Sequence, residues 1–213
     1  MNTENLIEAL AADAAPVGTH VVERRIVSAL SIAAGGAIAV LLPVYGVRAD
    51  LAWLVGTPIF WAKIVFALTM AGAALLATAR LSRPGVAIGR AWAWLAVPAA
   101  TVLLIALVIL WLAPPDARAS LLMGRTWRTC SLNIALLSVP GLIAILAVVR
   151  SLAPTRLRLT GAAAGLLAGA IGTAVYCLKC PETSVPFWAT WYLLGIAIPT
   201  LVGAVVGEKV LRW

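Results

Sequence analysis

AWAWLAVPAATVLLIALVILWL, Ala91 to Leu112, contains no charged side chain. Hydrocarbon offers no partner for an unsatisfied backbone amide, so a run of roughly 20 apolar residues reads as a helix that crosses a bilayer. The same criterion, applied outward from this stretch, gives five more spans: Ile26 to Tyr45, Pro58 to Ala79, Leu132 to Val149, Leu159 to Leu178 and Phe187 to Val206. The chain is 63% hydrophobic and 11% charged, whereas soluble domains carry about 25% charged residues. Its mean hydropathy is +1.03. The expectation is an all-α polytopic integral membrane protein with six transmembrane helices. The connections are short, so they form one bundle, and the lipid bilayer is its solvent.

A net charge of +8 invites a nucleic-acid reading. The placement of the cations argues otherwise, because they cluster at helix ends, where they set topology. Arg24, Arg25, Arg80, Arg83, Arg90, Arg150, Arg156, Arg158, Lys209 and Arg212 fall on one side; Arg48, Arg118, Arg125, Arg128 and Lys179 fall on the other. The richer side is read as cytoplasmic, which places both termini there and leaves no direct nucleic-acid contact.

Residues 1–25 are the largest polar segment, and they hold Glu4, Glu8, Asp13 and Glu23, half of the acidic residues. At 100° per residue Leu6, Ile7, Leu10 and Ala14 fall on one stripe, with Glu4 and Glu8 opposite and Asp13 beside it. Pro16 and Gly18 end the helix and begin a tether to the basic edge. Helices that lie on a bilayer carry Lys or Arg on the polar face, and this one carries acids. A protein groove suits it better than lipid. The chain therefore divides into a cytoplasmic segment and tether, 1–25, and a six-helix membrane domain, 26–213; the first span is read as a retained helix and not as a cleaved signal.

Within the spans, Gly161, Gly165 and Gly169 repeat every fourth residue, as do Gly203 and Gly207, the spacing that lets helix backbones approach closely. They serve packing within one chain or between two copies, a homodimer. Trp53, Trp61, Trp111, Trp127, Trp188 and Trp191 on one side, and Trp92, Trp94 and Trp213 on the other, read as interfacial belts. Lys63, the one ionisable residue within a span core, is expected to snorkel to the nearer surface. No nucleotide, protease or nucleophile motif occurs, and His20 is the sole histidine. No enzymatic activity and no cofactor are expected.

All three cysteines fall toward the side away from the termini. A Cys130–Cys180 disulfide would staple two connections, provided the Cα atoms lie within roughly 7 Å. Alternatively, Arg125, Arg128 and Lys179 supply the positive charge that favours a reactive thiolate, which takes an oxidant or, with Glu182, a soft metal ion. Cys177 reads as a small buried hydrophobe. Cys177 and Cys180 also form a CxxC, the spacing of a thiol–disulfide oxidoreductase, but an electron relay to a quinone needs a second pair that three cysteines cannot make. A small-solute transporter would carry more ionisable residues deep in its spans.

Three stretches together, LIEALAADAAPV at the N-terminus, WRTC ahead of the fourth span and CPETSVPFWATWYLLGIAIPTLVGAVVGEKVLRW at the C-terminus, resemble the NrsF-type membrane anti-sigma factors. That family comprises negative regulators of extracytoplasmic-function sigma factors in the inner membrane of proteobacteria. The resemblance implies an N-terminal segment that sequesters the sigma factor, with Leu6, Leu10, Asp13 and Pro16 in the matching pattern and Ile7 on the same stripe. It also implies a cysteine pair, Cys130 and Cys180, that responds to heavy metals or oxidants, with Glu182 in the Cys-Pro-Glu motif. Lys179 stands where the family pattern has His, and Cys177 is an additional thiol.

Overall fold

A computed structural model describes residues 3–12, 21–83, 89 and 91–212. Among them all regular structure is helical: α1 (Thr3–Ala12), α2 (Val21–Val44), α3 (Leu51–Val55), α4 (Pro58–Leu81), α5 (Ala91–Leu112), α6 (Pro115–Met123), α7 (Trp127–Arg150), α8 (Leu157–Tyr176) and α9 (Val185–Val210). Among the described residues six helices are long and apolar enough to cross a membrane: α2, α4, α5, α7 with the preceding α6, α8 and α9. They fall on the six predicted stretches. Prolines mark several starts, with Pro58 and Pro115 opening α4 and α6 and Pro186 near the start of α9, where the missing N–H would be unpaired in any case.

α3 and α6 occupy connections that the sequence reads as plain loops. α3 is apolar but short, and α6 is short and partly polar, so an apolar-run criterion finds neither. α1 matches the predicted N-terminal helix, and Glu4, Ile7 and Glu8 on it are exposed. Asp13, Pro16, Gly18 and His20, and the side chains of Leu6 and Leu10, lie outside the described residues.

α8 is the central helix, packed against α9, α7, α4 and α2, while α5 lies outermost against α9 and α4. The reason is side-chain size. A Cβ added at Gly161 would collide with the carbonyl of Gly203, and one at Gly165 would collide with the carbonyl of Pro199. The glycine repeats therefore serve the α8–α9 contact within one chain. α2 meets α7 in the same manner: a Cβ on Gly36 would stand 2.6 Å from Pro140 Cβ, and one on Gly141 would stand 2.9 Å from Ala33 Cβ.

Successive long helices alternate in direction and give the bundle two ends. At the end that holds the start of α2, Arg25 Nη1 donates to Ser151 Oγ at 3.0 Å, Arg158 pairs with Glu208 at 2.8 Å and Thr160 Oγ1 donates to the Leu81 carbonyl at 3.4 Å. The opposite end carries the cysteines. There Trp188 departs from the belt reading: it is 4% exposed and packs on Phe66 and Tyr192 with ring centroids at 5.6 and 6.3 Å. Trp53 and Trp111 are exposed as expected.

Candidate functional site

Cys180 sits just past α8. Its N–H and that of Lys179 both donate to the Tyr176 carbonyl, each at 3.0 Å, which curls the chain over the helix end. Pro181 then prevents further helix. Cys130 lies in the first turn of α7, its N–H on the Thr126 carbonyl at 3.0 Å. Both side chains are fully buried in one apolar cluster, and all three cysteines are free thiols. The Cys130 and Cys180 thiols adjoin, within hydrogen-bonding reach of each other, and Tyr176 borders Cys130. The neighbouring Cys130 thiol, and after it the Lys63 charge, draw the Cys180 thiol below its ordinary range against the opposing effect of burial. Cys177 is also fully buried, as expected, and turns to Tyr192, with Sγ 4.0 Å from the hydroxyl. Cys180 therefore finds its partner across helices and not within the CxxC.

The cation beside the thiols is not one that the sequence reading placed there. Arg125 and Arg128 are exposed, with the Arg128 guanidinium 5.1 Å from the Trp127 ring centroid. Lys63 comes in from α4 instead. It does not snorkel: it is fully buried, the one charged side chain among the described residues that is so, and its Nζ donates to the Glu182 carbonyl at 2.6 Å. A buried cation is costly unless hydrogen-bonded, and the irregular Cys180–Glu182 segment supplies the acceptor that a helix interior lacks. Arg48 adds a second donor, its Nη1 on the Cys180 carbonyl at 3.1 Å. Asp50 holds that guanidinium at 2.7 and 2.5 Å, and the hydrogen bond from Arg48 holds the Asp50 carboxyl below its usual range.

Glu182 turns its carboxylate to the start of α7. One carboxylate oxygen accepts from the Arg125 N–H at 2.7 Å, the Thr126 N–H at 3.1 Å and the Thr126 hydroxyl at 3.2 Å. These groups open α7, where the helix dipole favours an anion. The approach requires Gly124, at φ 53°, because a Cβ there would stand 2.7 Å from a Glu182 carboxylate oxygen. Among the described residues no three of His, Cys, Asp and Glu gather to hold a metal ion. Glu182→Ala should remove the acceptor of two amides at the start of α7 and cost about 0.5–2 kcal/mol, whereas Glu182→Gln, which keeps an acceptor, should recover most of it. Thermal unfolding in detergent measures the difference; equal midpoints for wild type and Glu182→Ala would remove the capping role.

The sequence reading assigns no site role to Lys63, Arg48, Tyr45 or Asn133. Only Lys63 carried a signal, as a lone ion within a span.

This arrangement defines a class: a six-helix bundle of membrane-crossing dimensions, carrying a buried thiol pair at one end and a short amphipathic helix ahead of its first long helix. The particular family follows from comparison with known proteins. Residues 10–213 match NrsF, described as negative regulator of sigma F, and the chain belongs to that family. It is 45% identical over 213 residues to the "Probable anti-sigma-F factor NrsF" of Azospira oryzae and 39% identical over 219 residues to the "Anti-sigma-F factor NrsF" of Caulobacter vibrioides, covering 100% of both chains in each case. No solved structure matches the chain.

Proposed function

We propose that this protein is an inner-membrane anti-sigma factor. Its residues 1–25 sequester an extracytoplasmic-function sigma factor of the sigma-F kind on the cytoplasmic side, and its domain 26–213 spans the bilayer with both termini inside. The observation that carries the reading is the full-length likeness to two anti-sigma-F factors. The exposed Ile7 on α1 supports it, as an apolar side chain left open on a helix that also exposes Glu4 and Glu8. Leu6, Ile7 and Leu10 dock in an apolar groove of the sigma factor, and the acids, Asp13 among them, meet basic residues that would otherwise face DNA or polymerase. Pro16 ends the docked helix. Oxidation or heavy-metal capture at Cys130 and Cys180 releases the sigma factor, with Glu182 holding the start of α7 in place beside them.

The test is co-elution. Full-length protein purified in mild detergent should retain the sigma factor; a chain lacking residues 1–18 should lose it, and Leu10→Arg, which places a charge in the stripe, should lose it as completely. Retention in either variant would refute the docking assignment.

A further inference from the structure

Two side chains at the exit of α2 hold the two cysteine-bearing segments, one each. The Tyr45 hydroxyl donates to Asn133 Oδ1 at 2.9 Å, and Asn133 lies on α7 one turn beyond Cys130. Asn133 Nδ2 in turn donates to the Tyr176 hydroxyl at 3.4 Å, which borders the Cys130 thiol. Three residues past Tyr45, Arg48 donates to the Cys180 carbonyl. The exit is joined firmly to its helix: the N–H groups of Tyr45 and Gly46 both return to the Leu41 carbonyl, at 2.9 and 3.0 Å, and Gly46 at φ 65° makes the left-handed cap. Asp50 fixes Arg48 from the other side.

We propose that this exit, Tyr45 to Arg48, is the element that reads the thiol pair and conveys its state along α2 to the N-terminal segment. The proposal rests on the anti-sigma reading above and supplies its regulation. With a peroxide as oxidant, one thiol becomes a sulfenic acid with release of water, and the other thiol attacks it, forming the S–S bond and releasing a second water. Two electrons and two hydrogens leave the thiols, and hydrogen peroxide ends as two waters. Non-bonded atoms touch at about 3.5–4.0 Å and a disulfide closes to about 2.05 Å, so the two segments are drawn together by more than 1 Å. Tyr45 and Arg48 are tied to opposite sides of that closure, and the strain falls on the α2 exit that joins them. α2 packs on α7 where Ala33 and Gly36 face Gly141 and Pro140, and packed helices shift against one another as rigid units by about 1–2 Å.

Wild-type protein and the double variant Tyr45→Phe, Arg48→Met are each treated in detergent with hydrogen peroxide. Mass spectrometry follows the disulfide as the loss of two hydrogens across the Cys130 and Cys180 peptides, and amide exchange follows residues 21–30. In the wild type the disulfide should form and exchange at the start of α2 should change by at least about threefold. In the double variant the disulfide should form while exchange there stays at its reduced value. Tyr45→Phe alone, the removal of one oxygen, should weaken the change and guards against a double variant that fails to fold. Absence of the disulfide in wild type would defeat the thiol-switch reading and this proposal together. A disulfide without change in α2, or a change that survives both variants, would defeat this proposal alone.

Discussion

Gly165→Ala should cost about 3 kcal/mol, the high end of what overpacking a close contact exacts. The added methyl would point into the Pro199 carbonyl and the Thr200 Cα, both backbone atoms, which no rotamer change moves aside. α9 would have to retreat from α8 along its length. That retreat would loosen the Gly161–Gly203 and Gly161–Gly207 approaches as well, and in a bilayer such packing is the main source of helix association. Gly72→Ala is the matched control. Nothing lies within 4 Å of its Cβ position, so the better helix former should be neutral or stabilise by about 0.5–1 kcal/mol. Thermal unfolding of both variants in one detergent checks the pair of signs; a destabilised Gly72→Ala alongside an unaffected Gly165→Ala would overturn the assigned α8–α9 contact.

Cys130→Ser combined with Cys180→Ser should abolish the cellular response to oxidant or heavy metal, bringing sigma-dependent transcription down to its uninduced level, while repression persists. Serine keeps the size of the buried groups and cannot form the disulfide. Because the thiols lie at the opposite end of the bundle from Arg25 and the start of α2, nothing at the start of α2 is disturbed directly. Cys177→Ser should leave the response intact, since that thiol turns to the Tyr192 hydroxyl while Cys180 adjoins Cys130. A transcriptional reporter with added peroxide or cadmium separates these outcomes, and a normal response in the double variant would exclude the thiol pair as the sensor.

The six long helices were legible because length and apolarity are properties of a contiguous stretch. So was the nearness of both Cys130 and Cys180 to one end, since each stands at the edge of an apolar run. α3 and α6 were not legible, because neither has the length that marks a span and α6 lacks the apolarity as well. The misplacement of Trp188 has a related cause. Sequence position gives depth along a helix but not the side on which a residue faces, and α9 turns Trp188 inward onto Phe66.

The sequence by itself determined the helical class, the number of long helices, the pairing of ends and, through its resemblance, the family that the comparison then established. Only the tertiary structure decided that the glycine repeats join α8 to α9 within one chain, that Cys180 lies against Cys130, and that Glu182 caps α7. It alone put Lys63 under the Cys180–Glu182 segment and tied the exit of α2 to both cysteine segments. The division has one physical reason. Span formation is decided by local burial of backbone in an apolar run, whereas these contacts link residues as far as 132 positions apart, and a helix carries no record in its own sequence of the neighbour on which each face will rest.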